Sequence, residues 1–140
     1  MIAELMIGVV TSRVFAGEQA NEITQPQVRD RAAFMQRAFE MRRIAIGRGD
    51  QPYGAVVVKD GRIIGEGISA VVTNSDPTAH AEMQAIRDTI RRFGAGGIKG
   101  AELFGTSRAC PMCERGAYEA GIALMVYGES ATEAGAPRMR

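Results

Sequence analysis

The chain has 140 residues, 46% hydrophobic and 24% charged, which fits one globular domain and argues against a disordered chain. Seventeen Lys and Arg against 16 Asp and Glu leave a formal charge of +1, too little for a broad pull toward nucleic acid or membrane. No apolar run reaches membrane-spanning length, and Glu4 without a nearby Lys or Arg is a poor signal-peptide start, so a cytoplasmic location is expected.

Residues 1–26 are mildly apolar, then polar, and end at Pro26; they read as an extension. Its one apolar stretch, Leu5 to Val10, has the Ile and Val content of a strand, and residues of about 4 to 15 are expected to cover a sheet edge. From Gln27 to Arg48, Ala33, Phe34, Ala38, Met41 and Ala45 recur at helical spacing, and Gly47, Gly49 and Pro52 stop the helix. Gly54 to Val58 reads as a strand, Asp60-Gly61 as a tight turn, and Arg62 to Ile68 as the returning strand. Asp76-Pro77 suits a helix opening, with the helix running from about Thr78 to Phe93 and ending in glycines. A strand over Ala101 to Thr106, a short helix from Pro111 closed by Gly121, and a strand over Ile122 to Tyr127 complete the pattern. A hairpin followed by strand–helix–strand units predicts an α/β domain over residues 27–128, with 129–140 as a C-terminal tail. The tail has no strong periodicity, so the sheet is expected to lack a fifth strand.

Cysteine and histidine usage is sparse. The chain has two cysteines, Cys110 and Cys113, and one histidine, His80, which is too few for a disulfide scaffold. Taken singly, a lone histidine is usually a surface or core residue, and a Cys-x-x-Cys is often redox-active or incidental. Together they are placed alike, each at a predicted helix start. Helix starts carry positive partial charge and free N–H groups, which favour the thiolate form a soft metal needs. Three protein ligands leave a fourth tetrahedral position open, the mark of a catalytic rather than a structural zinc. Glu82, two residues beyond His80, can reach a water activated by that metal and shuttle its proton.

His80-Ala81-Glu82 followed by Cys110-Pro111-Met112-Cys113 is the histidine–glutamate–cysteine signature of zinc deaminases. With Asp76-Pro77-Thr78-Ala79 before it and Pro52-Tyr53-Gly54-Ala55-Val56 upstream, the stretch from Gln27 to Gly128 resembles the cytidine deaminase-like superfamily. It looks most like the branch of guanine, cytosine and tRNA adenosine deaminases. The resemblance implies a three-layer α/β/α fold with a mixed sheet, a bound Zn2+ held by His80, Cys110 and Cys113, Glu82 as general acid and base, and a homodimer or larger assembly. It implies hydrolytic loss of an exocyclic amine from a nucleobase-like ring; the near-neutral charge makes RNA a less favoured partner.

The chain departs from its relatives around the substrate. Arg108-Ala109 stands where they usually carry Glu-Pro, and Ser69 falls where they place an asparagine that holds the ring. Glu119 falls where they often have an aromatic or a histidine. Ser69, Ala81 and Glu119 are the expected substrate-binding residues. A tRNA adenosine deaminase, and a zinc-stabilised module without turnover, are the rival readings; the retained Glu82 speaks against the second.

Overall fold

The computed structural model describes residues 22–139; the expected edge-covering segment around residues 4–15 lies outside them. Three helices, α1 (Arg31–Gly47), α2 (Ala81–Gly97) and α3 (Pro111–Ala120), flank five strands, β1 (Gly54–Lys59), β2 (Arg62–Ile68), β3 (Glu102–Gly105), β4 (Leu124–Tyr127) and β5 (Thr132–Gly135). The sheet order is β2-β1-β3-β4-β5, antiparallel except for the β3–β4 pair.

Strand β1 runs Ala-Val-Val-Val without polar alternation, the pattern of a strand covered on both faces. Val56 and Val58 pack with Phe34, Met35, Ala38 and Met41 of α1, while Ala55 and Val57 pack with Ala81, Ala85 and Ile86 of α2 and Ala117 of α3. The result is the expected α/β/α sandwich. On the α1 side, Phe34 and Phe104 meet edge to face with centroids 5.8 Å apart. No helix among the described residues is long and apolar enough to cross a membrane.

Two helix starts and the last strand differ from the sequence expectation, each for a local reason. Helix α1 begins at Arg31 and not at Gln27, because the Asp30 carboxylate accepts from the Ala33 N–H at 2.9 Å and caps it there. Helix α2 begins at Ala81 and not at Thr78. Asp76 instead accepts from the N–H and hydroxyl of Thr78, which closes a local turn and leaves His80 as the extended N-cap. The third difference is a correction: a fifth strand exists. The chain turns back over Gly128–Ala131, and Thr132–Gly135 pairs antiparallel with β4 inside the segment read as a tail. Thr-Glu-Ala-Gly is short, polar and mostly exposed, so it carries no alternating apolar signal, and that same character blunts it as an edge.

Two glycines of β2 set the position of α2. A Cβ at Gly67 would lie 2.1 Å from the Ala81 carbonyl oxygen and 2.4 Å from the Ala85 nitrogen; one at Gly65 would lie 1.9 Å from the Thr89 hydroxyl oxygen. The start of α2 therefore rests directly on the strand backbone. Overpacking of this kind costs about 1–3 kcal/mol. Gly67→Ala is expected to lower stability by that amount in urea unfolding, whereas Gly47→Ala, with open space around it, stays neutral or gains. Equal midpoints for the two variants would contradict the close approach.

Candidate metal centre

Helices α2 and α3 start at the same end of the sheet, beside Gly105 where β3 stops. His80 is the N-cap of α2 and Cys110 the N-cap of α3, and neither side chain caps its own helix. They turn toward each other instead. His80 Nδ1 lies 3.6 Å from Cys110 Sγ and 3.5 Å from Cys113 Sγ, and the three ligand atoms all fall within 4.8 Å of one another. Pro111 at the first position of α3 loses no hydrogen bond there and fixes the turn that brings both sulfurs to one point.

The donor set fits zinc. Tetrahedral zinc bonds of about 2.0–2.1 Å to nitrogen and about 2.3 Å to sulfur place those atoms about 3.6 Å apart, as they are here. Burial pushes the Cys113 thiol up, and the neighbouring Glu82 carboxylate and Cys110 push it further. His80, Cys110 and Cys113 could hold that ion.

Glu82 sits at the second position of α2, where its charge complements the helix start. It is 6% exposed, and a Cβ on Gly105 would come within 3.3 Å of its Oε1. Only glycine leaves ordinary room for the carboxylate there. Burial raises the carboxyl above its usual range, against the lowering effects of the Cys113 thiol, its own backbone N–H and His80. His80, Glu82 and Cys110 open on a cavity of about 410 Å³ whose other walls are Gln51, Pro52, Tyr53, Ser107 and Arg108.

The structure thus brings together all four residues singled out for chemistry. It does not bring in the three expected to bind substrate. Ser69 is 1% exposed, and its hydroxyl donates to Asp50 Oδ1 at 2.8 Å. The Ala81 methyl is fully buried in the core beneath α2. Glu119 lies on the outer side of α3, exposed and paired with Arg115 at 3.2 Å. None of the three lines the cavity.

Sequence reasoning missed Asp50. Its carboxylate, just past the end of α1, accepts from the Gln51 N–H at 2.8 Å, the Ser69 hydroxyl at 2.8 Å, the Val72 N–H at 3.1 Å and the Thr73 N–H at 2.7 Å. It ties the loop that leads to His80 onto the cavity wall at Gln51. Nothing in the sequence separates it from an ordinary polar residue after a helix-ending glycine. Burial opposes its charge, but the hydrogen bonds from Thr73, Gln51 and Ser69 win and hold its carboxyl well below the usual range.

Residues 28–129 match the family described as the cytidine and deoxycytidylate deaminase zinc-binding region. Guanine deaminase of Bacillus subtilis is 39% identical over 102 residues, covering 72% of this chain and 65% of the relative. A tRNA-specific adenosine deaminase of Aquifex aeolicus is 40% identical over 80 residues, covering 57% of this chain and 53% of the relative. The chain therefore spans about half to two thirds of the length of these curated relatives. Among solved structures, one from a study of A-to-I editing by tRNA:A34 deaminases superposes with a TM-score of 0.66 at 36% identity, covering 69% of this chain and 75% of that one. The Bacillus subtilis guanine deaminase structure superposes with a TM-score of 0.62, also at 36% identity, covering 70% and 66%.

Asp50 supplies a test that needs no substrate. A depressed carboxyl stabilises the fold fully above its unfolded pKa, about 3.9, and loses that contribution as pH falls toward the folded value. Asp50→Asn should therefore melt below wild type at pH 7, and the gap should close as the pH drops below about 4. Melting temperatures that match at pH 7, or a gap unchanged at pH 3, would contradict the clamp.

Proposed function

Because the chain belongs to the cytidine and deoxycytidylate deaminase zinc-binding family, we propose that it is a hydrolytic deaminase acting on a nucleobase, nucleoside or related aminated heterocycle. The observation that carries this reading is the buried Glu82 carboxylate in the same cavity as His80 and Cys110. A zinc site that served only the fold would have no use for a desolvated acid in the same cavity.

In this reading His80 Nδ1 and the Cys110 and Cys113 sulfurs hold the ion. Zinc held there would supply the Lewis acidity that makes water a nucleophile near neutral pH. Glu82, buried on the cavity wall, would take a proton from the attacking water at its carboxylate and pass protons to the ring nitrogen and the departing amine. Oxygen from water joins the ring carbon, the exocyclic carbon–nitrogen bond breaks, and ammonia leaves. Burial suits Glu82 to both halves of the task, because a carboxyl raised toward the working pH can hold a proton and then release it. Tyr53, 40% exposed on the cavity wall, offers an apolar face to a planar ring.

The likeness to tRNA adenosine deaminases supports a second reading, with an adenosine in RNA as substrate. Ammonia release measured over guanine, cytosine, cytidine, adenosine and tRNA separates the two. The proposal extends to a cytoplasmic enzyme that assembles as a homodimer or larger oligomer, which a monomer mass in light scattering would contradict.

General acid–base catalysis contributes about 10²–10⁴-fold, so Glu82→Gln should lose at least that much ammonia release while binding the same amount of zinc. Turnover within a few-fold of wild type would remove Glu82 from the mechanism.

A further inference from the structure

The loop between β2 and α2 delivers His80 to the metal centre through turns, with no helix or strand of its own. Its course is fixed by one buried carboxylate. Each oxygen of Asp50 takes two donors: Oδ1 the Gln51 N–H and the Ser69 hydroxyl, Oδ2 the N–H groups of Val72 and Thr73. Asp50, Ser69, Ala70 and Ala79 are all buried. Burying a charge is a costly way to stabilise a fold. What charge-assisted hydrogen bonds from four directions supply is a fixed geometry.

The path from that carboxylate to the metal ligand is short. Next to Ser69, the Ala70 N–H donates to the Ala79 carbonyl at 2.9 Å, and that carbonyl belongs to the peptide bond leading into His80. The loop is tied twice more, by the Asp76 N–H on the Val71 carbonyl and the Ala79 N–H on the Asp76 carbonyl, both at 3.1 Å. On the cavity side, the Ser69 N–H donates to the Tyr53 carbonyl at 3.2 Å. Asp50 thus joins the cavity wall at residues 51–53, the end of β2 and the loop before α2. His80 depends on such support. It is the N-cap of α2, yet its side chain makes no capping hydrogen bond, so the aim of its ring follows from the backbone that carries it.

We infer that Asp50 is a positioning residue for the metal centre: through Ser69 and the Ala70–Ala79 hydrogen bond it sets the aim of His80, and with it the affinity for zinc. The inference rests on reading His80, Cys110 and Cys113 as the zinc ligands. Groups that orient a metal ligand without touching the metal typically carry about 10–100-fold of its affinity.

The test measures zinc affinity of the folded full chain by competition with a chromophoric chelator, below the melting temperature of each variant. Asp50→Asn keeps one oxygen, so two of the four donors lose their acceptor, and zinc should bind about 10–100-fold more weakly. Ser69→Ala removes the hydroxyl alone and should lose about 3-fold or more, the scale of one hydrogen bond; it carries the test if Asp50→Asn does not fold. Asp30→Ala is the control, since it removes a capping carboxylate at the opposite end of α1 and should bind zinc as wild type does. Cobalt(II) loaded in place of zinc reports ligand geometry through its visible bands, which should shift in Asp50→Asn and stay in place in Asp30→Ala. An affinity within about 2-fold of wild type in either folded loop variant would overturn the inference. So would an equal loss in Asp30→Ala, or a loss in Asp50→Asn with the cobalt bands unmoved, since either reduces Asp50 to support of the fold. These shifts without ammonia release from any substrate would sink the deaminase reading and leave the role of Asp50 standing; ammonia release with zinc affinity unchanged in the loop variants would do the reverse.

Discussion

Two helices begin at one end of the sheet, and every side chain assigned to chemistry lies within three residues of one of those beginnings. This geometry depends on how closely α2 can lie on β2. Gly65 and Gly67 present bare backbone to the first turns of α2, with no room for a methyl group at either. Gly116 lies between the helices, where a Cβ would stand 2.6 Å from the Met83 sulfur, a contact that the flexible methionine could yield. Close packing brings the N-cap of α2 to the N-cap of α3, and the positive ends of two helices then face three ligands and a carboxylate. Anionic groups are favoured at such ends, which offsets part of the cost of burying the Glu82 carboxylate there.

Much of this was legible because the chemistry uses scarce residues at fixed spacing. One histidine, two cysteines three positions apart and a glutamate two beyond the histidine leave few other arrangements for a metal. The apolar run of β1 and the helical spacing of Phe34, Ala38, Met41 and Ala45 likewise announced a strand and the helix before it. The misses share a cause: polar local chemistry without periodicity. Asp30 and Asp76 each decide where a helix starts, yet both are single carboxylates whose partners lie within three residues: the Ala33 N–H, and the Thr78 N–H and hydroxyl. β5 consists of Thr-Glu-Ala-Gly, held by its ladder to β4 and hardly at all by burial.

The substrate side was the least legible, and the structure explains why. Register alone pointed to Ser69 as a ring-binding residue, but register does not reveal that Asp50 takes its hydroxyl. A buried aspartate with four donors needs every one of them, so Ser69 belongs to the loop that delivers His80. Glu119 was placed by analogy on a helix whose inner side is taken up by Cys113 and Ala117, leaving position 119 to solvent. Arg108, noticed first as a departure from the relatives, turns out to line the cavity.

The account stands or falls on an open three-ligand zinc centre. Zinc K-edge X-ray absorption on the purified full chain, with metal content measured on the same sample, tests it most directly. The account predicts one zinc per chain with two sulfur neighbours at about 2.3 Å and two lighter neighbours at about 2.0–2.1 Å. A four-sulfur shell shared between chains, or a folded protein with no stoichiometric zinc, would contradict it.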